Sequence, residues 1–400
     1  MNQGTNAGER ALVAIMFVTW GVVFLDRMAL LYLAPYIAPD LKLTGSQIGK
    51  LVAMMSICWA VSALVFGALS DRIGRKVVLV PMVVLFSLLS ILSGFAHSFV
   101  ELLIVRGLLG AAEGPCWSII MAFVEERSSP LHRGRNIGIV ASAAAIIGLA
   151  VAPVLTTQIA ALFGWRWAFF IAAVPGFVMA LLIALFTEEE NTGASRQPGQ
   201  RVTLRDMASL LGYRNIWVSA LGAAGFMAWT FLFSAFGPLY ITEVERQAGT
   251  TAGFLMGAAG LGSFIIGLLG PALSDRFGRR PVLAVQAILC TILPLALMVH
   301  PLYSYLWVLA GILFLTQAGQ AIAAICIVLV PTDSVPRNLA GSAIGLTTLA
   351  GEFVGGFIAP IAAGTLVAEH GLAAPLWIAS AGAAVVFVSA LLIASPPKAG

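Results

Sequence analysis

The sequence predicts an all-α membrane protein with twelve transmembrane helices in two six-helix bundles. Three observations lead to this fold class: the composition, the length of the apolar segments and an internal repeat. Of the 400 residues, 60% are hydrophobic and only 10% are charged, and the mean hydropathy is +0.98. A typical water-soluble domain carries about 25% charged residues. The composition therefore excludes a water-soluble globular protein.

The apolar segments are long enough to cross a bilayer as helices and lack the pattern of membrane strands. A helix needs roughly 20 apolar residues to cross the hydrocarbon core, whereas a barrel strand needs roughly 10 residues that alternate between apolar and polar. Segments such as PMVVLFSLLSILSGFAHSFV, at 81–100, do not alternate. Because a helix satisfies its own backbone hydrogen bonds in lipid, these segments are predicted to be helical.

Polar turns divide the chain into twelve predicted spans. The N-terminus lacks a basic start and a cleavage site, so the first span is interpreted as a retained helix and not as a secretory signal. The longest polar segment follows the sixth span and predicts a first bundle at 1–190, a cytoplasmic linker at 191–213 and a second bundle at 214–400. The predicted spans are 12–37, 45–70, 77–96, 99–125, 135–163, 165–187, 214–242, 250–273, 281–300, 304–331, 338–367 and 372–395.

The two halves of the chain repeat each other. The octapeptide LSDRIGRK, which contains Asp71, returns as LSDRFGRR, in which Asp275 lies 204 positions later. Pro153 and Pro360, in the similar segments IGLAVAP and GGFIAP, lie 207 positions apart. Parallel repeats of this kind are a transporter design, with the substrate site expected between the halves near the middle of the membrane.

Basic residues orient the molecule. An even number of spans places both termini on one side, and that side carries 16 of the 22 Lys and Arg residues, against four on the other side. By the positive-inside rule, the chain is expected to be a multi-pass protein of the inner (plasma) membrane with both termini cytoplasmic. The net charge of +4 then reflects topology, and no nucleic-acid partner is expected.

Several segments resemble a known transporter family. GALSDRIGRKVVL, after the second span, resembles the signature loop of the major facilitator superfamily, and SDRFGRR resembles its copy in the second half. FLDRMALLYLAPYIAPDLKLTGSQIG in the first span, RGLLGAAEGP in the fourth and GWRWAFF in the sixth resemble the anion:cation symporters of that superfamily. The resemblance implies the major facilitator fold, a monomer and the co-transport of protons with an organic anion.

The repeated loop is predicted to be a gate and not a substrate contact. Asp71 and Arg75 are four residues apart at a helix end, a spacing suited to ion pairing and to contact with the helix dipole. Such a latch would hold the cytoplasmic side shut. The motif residues are Gly67, Asp71, Arg72, Gly74, Arg75, Asp275, Arg276, Gly278 and Arg279.

Ionisable residues inside the spans are the candidates for transport chemistry, because a charge at the bilayer centre costs about 2.5–3.5 kcal/mol on insertion scales. The five such residues are Asp26, Arg27, Arg106, Glu113 and Glu352. At an offset of 203, Trp229 and Thr230 replace the Asp-Arg pair in the second half. A purely structural pair is expected to be duplicated with the fold, so the asymmetry favours function.

Spacing suggests roles for these residues. Arg106 and Glu113 are seven residues apart on one helix, about 10 Å along its axis, so each needs a partner on another helix. We expect Asp26 to pair with Arg106 and Arg27 to bind the substrate anion. Arg106 is a second substrate-binding candidate, with a lock between the first and fourth spans as its alternative. The resemblance likewise implies substrate and proton binding by these residues.

Charge counting suggests how protons and an anion are coupled. With both carboxyls ionised, Asp26, Arg27, Arg106 and Glu113 sum to zero. Burial disfavours the charged form of a carboxyl, and protonation of both would leave a site of charge +2. Protons and an organic anion would then favour each other's binding.

Other candidates have weaker support from the sequence. Tyr32, Trp229 and Gln317 are further candidates for substrate binding, with helix–helix contact as the alternative for each. Glu352 is a candidate second proton site or substrate selector, with packing against a hydroxyl as its alternative. Neither a catalytic residue nor a metal or cofactor site is predicted: there is no metal-spaced His pair and no Gly-rich phosphate loop.

The predicted function is a proton-coupled symporter that imports a small organic anion, such as a sugar acid or other carboxylate, by alternating access. The alternative is a drug or metabolite exporter of the antiporter type. Such exporters carry a GxxxGPxxGG-like stretch in the fifth span, where this chain has GLAVAPVLTT. A sensor without transport activity, the third hypothesis, would carry long added domains, whereas the loops here are short.

Overall fold

The computed structural model describes residues 3–129, 131–187, 209–336 and 339–394, and within these ranges it is helical and has no β-strand. Twelve helices in this part of the chain are long and apolar enough to span a membrane. This confirms the predicted all-α fold class. The helices are α1 Gln3–Asp40, α2 Gly45–Ile73, α3 Arg75–Gly94, α4 Phe99–Arg127, α5 Arg133–Phe163, α6 Trp165–Phe186, α7 Arg214–Val244, α8 Gly249–Phe277, α9 Arg279–Ala296, α10 His300–Asp333, α11 Ala340–His370 and α12 Ala373–Leu392.

The helices form two compact units. Unit 1 comprises Met1–Leu43 and Met54–Arg196, and unit 2 comprises Thr44–Ala53 and Gln197–Gly400. The first turns of α2 are thus grouped with unit 2, which the sequence did not predict. Most of the linker predicted at 191–213 lies outside the described residues.

Helix packing repeats between the two units. In unit 1, α3 packs on α4 and α6, and α1 packs on α5 and α6. In unit 2, α9 packs on α10 and α12, and α7 packs on α11 and α12. Each pair in unit 2 is a pair in unit 1 with six added to both helix numbers. The internal repeat of the sequence therefore corresponds to a repeat of helix packing.

Glycines at equivalent turns adopt the same unusual backbone conformation. Gly74 joins α2 to α3 with φ 112°, and Gly278 joins α8 to α9 with φ 92°. Gly164 and Gly371, which precede α6 and α12, also have positive φ. A residue with a Cβ atom adopts such angles at a steric cost that glycine avoids. The repeated loop therefore needs glycine at this position to reverse the chain between two membrane helices.

Four of the described helices contain a π-helical segment, and two of these segments lie at equivalent places of the two units. These two segments are Ala144–Val151 in α5 and Glu352–Ile358 in α11, and each lies two residues before a proline, Pro153 or Pro360. Proline lacks the N–H of the regular hydrogen-bond ladder and its ring crowds the carbonyl four residues earlier, which favours a local change of register. Glu352 opens the α11 segment and is therefore held at an irregular point of its helix.

The outward faces of the helices carry large apolar side chains. Leu88 of α3, Leu108 of α4 and Val174 of α6 are about half exposed in the absence of lipid. A membrane-spanning helix can present such residues because lipid, and not water, surrounds it. The apolar core of unit 1 is formed mainly by α1, α3, α4 and α5.

Candidate functional site

Four charged side chains lie buried together inside unit 1. Asp26 and Arg27 come from the middle of α1, and Arg106 and Glu113 come from α4. Their exposed fractions are 0%, 4%, 1% and 0%, in that order. Arg106 and Glu113 each lie within electrostatic range of the other three. The four residues selected from the sequence thus form one cluster, which we call the charge cluster.

Close packing of α4 on α2 brings two further side chains to this cluster. A Cβ atom on Gly110 would lie 2.3 Å from the carbonyl oxygen of Met55, and one on Gly114 would lie 2.3 Å from that of Trp59. These distances leave no space for a side chain, so the glycine spacing of four residues allows the two backbones to touch. As a result, Met55 and Trp59 face the charged residues of α1 and α4.

Asp26 is held by α3. Ser90 donates a short hydrogen bond from its hydroxyl to Oδ1 of Asp26, and this hydroxyl also lies 3.3 Å from the carbonyl oxygen of Phe169 in α6. The carboxyl of Glu113 in α4 lies within hydrogen-bonding reach of the same group. Asp26 is therefore placed between a hydroxyl of α3 and a carboxyl of α4.

Arg27 is positioned by an aromatic ring. Its guanidinium carbon lies 3.8 Å from the centre of the Trp59 ring, which places the cation over the ring face. Such an arrangement is worth about 2 kcal/mol when it is shielded from water. The contact places the guanidinium of Arg27 against the face of the Trp59 ring.

Arg106 joins α4 to α1 and α2, but not through the carboxylate that we predicted. Its Nη2 donates to the main-chain carbonyl of Arg27 at 3.0 Å and also contacts the sulfur of Met55. Its Nε and Nη1 have no hydrogen-bond partner among the described residues. No direct ion pair joins Arg106 to Asp26 among the described residues, but the two charges lie within electrostatic range of each other, so a pairing during transport stays a prediction.

Glu113 lies against a second carboxyl group, that of Asp26. The two can share a hydrogen bond when one of them is protonated, and the charges of Asp26, Arg106 and Arg27 act on Glu113. Two carboxylates in contact repel each other, so a proton on either of them replaces repulsion with a hydrogen bond. Glu113 and Asp26 are therefore placed to hold a proton between them.

The candidates of the second half lie in unit 2 and are also buried. Trp229 donates from its ring nitrogen to the carbonyl of Cys290 at 2.8 Å and stacks on Phe233, with 5.9 Å between the ring centres. Gln317 lies at a break in α10, where its side chain accepts from the backbone N–H of Gly319 at 2.9 Å. These contacts are those expected of helix packing and of an unwound helix, and substrate binding by either residue stays a prediction.

Two further candidates are buried in different helices. Tyr32 lies on α1, six residues after Asp26, with 3% of its surface exposed. Glu352 lies at the start of the π-helical segment of α11, with 1% exposed. Their burial fits a role inside the protein, and their roles in substrate or proton binding stay predictions.

The structure describes most residues of the repeated loop. In unit 2, Arg279 contacts Asp275 at 2.5 Å, four residues earlier, and Asp333 of α10 at 3.1 Å. In unit 1, Arg75 forms an ion pair with Glu126 of α4. The side chain of Asp71 lies outside the described residues. Gly67 and Gly74 lie at the end of α2, Arg72 is exposed there, and Gly278 and Arg276 lie at the end of α8.

The comparison with known families decides the class of the protein. The sequence profile of the Major Facilitator Superfamily matches residues 16–360. The chain belongs to the major facilitator superfamily. It is therefore a membrane transporter and not an enzyme, and the resemblance found in its repeated loop is confirmed.

The individual relatives described next share between 18% and 29% of their residues with this chain. A probable 4-methylmuconolactone transporter of Cupriavidus pinatubonensis is 28% identical over 345 residues, covering 84% of this chain and 79% of that protein. The hexuronate transporter of Bacillus subtilis is 29% identical over 241 residues, covering 58% of this chain and 56% of that protein. A bacterial homologue of the human lysosomal transporter Spinster, solved inward-facing and unoccupied, matches with a TM-score of 0.75 at 18% identity over 98% of this chain and 99% of that one. This last similarity shows the fold alone.

Three side chains at the charge cluster of this major facilitator protein were not predicted from the sequence. Ser90, Met55 and Trp59 all touch the charge cluster, yet each is a neutral residue within an apolar helix. The glycine pair at 110 and 114 was the one available signal for Met55 and Trp59, because small residues four apart mark a helix contact. For Ser90, the sequence carries no such signal.

Among the described residues, no group of three or more His, Cys, Asp or Glu side chains is placed to hold a metal ion. The four cysteines are free, and three of them are buried in the helices. Free cysteines in such positions pack as small apolar side chains do.

Proposed function

We propose that this protein is a proton-coupled symporter that imports a small organic anion by alternating access. The observation that carries the proposal is the charge cluster, in which two carboxyls that lie against each other are buried with two guanidinium groups, and two nitrogens of Arg106 lack hydrogen bonds to described residues. Such groups are retained where a ligand or a change of protonation state uses them.

The charges of the cluster couple protons to the anion. With both carboxyls ionised, the two carboxylates balance the two guanidinium groups and the cluster has no net charge. Each proton that binds to Asp26 or Glu113 raises the net charge by one, and an anion then binds more favourably. Because coupling between two ligands is reciprocal, the bound anion also favours protonation. A gradient of either ligand can therefore move the other.

The contacts support different roles for the two arginines. Arg27 is held over Trp59 and binds the carboxylate of the substrate, for which a guanidinium is suited because it can donate two parallel hydrogen bonds. Arg106 is 1% exposed and binds the backbone of α1, which suits a residue that positions Arg27 and responds to Glu113. Glu113 and Asp26 carry the protons.

The substrate class follows from the same chemistry and from the relatives. A guanidinium in a buried site selects a carboxylate, and the names of the two relatives described above are those of transporters for a hexuronate and for a muconolactone. A sugar acid or another small carboxylate is therefore the proposed substrate of this chain. Tyr32, Trp229 and Gln317 contribute further substrate contacts, and Glu352 contributes a second proton site.

The proposal also covers the placement of the chain. The protein resides in the inner (plasma) membrane with both termini cytoplasmic. This orientation is favoured because 16 basic residues lie on the side of the termini and four on the other side. It functions as a monomer in which the bundles at 1–190 and 214–400 alternate access to the substrate. No cofactor takes part.

Uptake into proteoliposomes under an inward proton gradient tests the proposal. We expect accumulation of at least one acid from a panel of sugar acids, aromatic acids and dicarboxylates. Glu113→Gln should abolish gradient-driven accumulation while exchange of substrate across the membrane persists, because an amide cannot carry the proton. Glu125→Gln is the matched control, since Glu125 lies on the same helix, is 59% exposed and should leave accumulation unchanged.

Three results would contradict the proposal. These are no accumulation of any carboxylate, accumulation that survives Glu113→Gln undiminished, and efflux of substrate driven by the inward proton gradient. The last result would instead establish the antiporter alternative.

A further inference from the structure

A cavity of about 460 Å³ lies within unit 1, where the N-terminal part of α1 meets the start of α5. The polar side chains that line it are Glu9, Arg10, His132, Arg135 and Asn136. The cavity is separate from the charge cluster, because Arg10 and Asp26 are 16 positions apart on α1, which is about 24 Å along a helix.

The cavity presents excess positive charge. Arg10 and Arg135 are exposed, and within the described part of the chain neither has a hydrogen-bond or ion-pair partner. The one carboxylate of the cavity already has partners in the cavity wall: Glu9 accepts a 2.6 Å hydrogen bond from the amide of Asn136, and His132 lies 3.9 Å from the same oxygen. Two guanidinium groups are therefore available to one anionic ligand.

The remaining wall of the cavity is apolar. Val13, Ala14 and Phe17 of α1 and Ile139 of α5 complete the lining. Phe17 is seven residues beyond Arg10, so the apolar wall extends about 10 Å along α1 from the cationic end. A small hydrophilic anion would leave this apolar wall without a contact. A lipid matches both parts of the cavity, because its charged headgroup is followed by an apolar chain.

The location suits a lipid as well. The end of unit 1 that holds Arg10 and Arg135 is the end assigned to the cytoplasm by the distribution of basic residues. Anionic lipids of the cytoplasmic leaflet attract basic pockets between membrane helices. The start of α5 adds the positive end of a helix dipole.

We propose that this cavity binds the phosphate of an anionic phospholipid headgroup. Arg10 and Arg135 donate hydrogen bonds to the phosphate, and one acyl chain lies along Phe17 and Ile139. The site is additional to the proposed transport function and does not depend on it. The same phosphate chemistry could be supplied by a soluble phosphate ester, and the test separates the two sources.

The test uses the purified full chain in detergent and follows its thermal unfolding midpoint in titrations with phosphatidylglycerol. Phosphatidylcholine with the same acyl chains measures the effect of the chains alone, and glycerol 3-phosphate measures the effect of the headgroup alone. We expect stabilisation by phosphatidylglycerol only. The double substitution Arg10→Gln with Arg135→Gln should weaken the apparent Kd for phosphatidylglycerol at least about tenfold, the factor that one lost charge-assisted hydrogen bond produces.

Two control variants accompany this measurement. Arg214→Gln with Arg280→Gln removes two exposed arginines on the same predicted side of the membrane and should leave the Kd unchanged. Arg10→Lys with Arg135→Lys keeps both charges and should keep most of the affinity. If the double glutamine variant does not fold, the single variants Arg10→Gln and Arg135→Gln are measured with the same expectation.

Four outcomes would overturn the proposal: no stabilisation by phosphatidylglycerol, an equal effect of phosphatidylcholine, an unchanged Kd in the cavity variants, or an equal loss in the Arg214 and Arg280 control. Binding of glycerol 3-phosphate as tight as that of the lipid would overturn the lipid as ligand and assign the site to a soluble phosphate ester.

Discussion

The contact between Arg27 and Trp59 gives the most direct prediction at the scale of single residues. Trp59→Leu removes the ring face under the guanidinium, 3.8 Å away, while it keeps an apolar side chain in the membrane. A shielded cation–π contact is worth about 2 kcal/mol, so the KM for the transported anion should rise roughly tenfold or more. Initial rates of uptake at increasing substrate concentration measure this change.

Matched variants separate this effect from a loss of folding. Trp59→Phe keeps an aromatic face and should raise KM much less than Trp59→Leu does. Trp167→Leu removes a tryptophan of the same unit that is 53% exposed and should leave KM unchanged. If Trp59→Leu transports with an unchanged KM, the ring does not position the substrate-binding guanidinium.

Among single residues, the buried charged side chains could be predicted from the sequence, whereas the neutral groups that they contact could not. The four members of the charge cluster were predicted because a charge stands out inside an apolar helix. Their hydrogen bonds were not predicted, because a buried arginine can satisfy itself with a backbone carbonyl or a sulfur as well as with a carboxylate. Arg106 does so with the carbonyl of Arg27 and with Met55, and Asp26 accepts from Ser90.

Among the helices, the contact between α2 and α4 depends on two glycines. Gly114→Ala would place a methyl group 2.3 Å from the carbonyl oxygen of Trp59, a backbone atom that cannot move aside alone. Overpacking of this kind typically costs about 1–3 kcal/mol, and here it would also shift Trp59 under Arg27. We expect a lower thermal unfolding midpoint and slower uptake.

Gly138→Ala provides the control for this substitution. Gly138 lies within helix α5, and nothing comes within 4 Å of an added Cβ atom. Alanine has the higher helix propensity, so this variant should be as stable as the unaltered chain or slightly more stable. Equal stability and activity of the two alanine variants would mean that α2 and α4 pack less closely than described.

The repeated turn between helices supports a prediction about gating. Arg279 ties the end of α8 to α10 through Asp275 and Asp333, so Arg279→Gln breaks two ion pairs at once. Arg279→Gln and Asp71→Asn should both lower the maximal rate of uptake and leave the ratio of KM values for two competing acids unchanged, because these residues are predicted to form a gate and not a substrate contact. Arg280→Gln, at the neighbouring exposed position, is the control. A changed ratio would place the turn at the substrate site.

The helices themselves were largely predictable, and their irregularities were not. The fourth span was predicted at 99–125 and the helix is Phe99–Arg127, because apolar length and polar turns decide where a membrane helix begins and ends. The break of α10 at 317–318 and the π-helical segments were missed. Whether a backbone N–H bonds to the carbonyl four or five residues earlier depends on packing against neighbouring helices. The pattern of apolar residues in the sequence does not show this packing.

For the whole molecule, duplication and asymmetry give different kinds of information. Equivalent helices of the two units pack alike and turn at equivalent glycines, so the repeat defines the fold. The Asp-Arg pair of α1 has no counterpart in α7, where Trp229 packs against Cys290 and Phe233. Proton and anion chemistry is therefore proposed for unit 1, while unit 2 keeps the architecture with different side chains.

The orientation of the whole chain is the last prediction. Leu131, between α4 and α5, is 87% exposed, and Tyr305, at the start of α10, is 67% exposed. The positive-inside distribution places Leu131 in the cytoplasm and Tyr305 outside, because α5 and α10 then begin on opposite sides of the membrane. In a chain whose half-buried Cys58 is replaced by alanine, Tyr305→Cys should react with a membrane-impermeant maleimide in intact cells. Leu131→Cys should react only after the cells are permeabilised. Labelling of Leu131→Cys in intact cells would contradict the predicted topology and place both termini outside the cytoplasm.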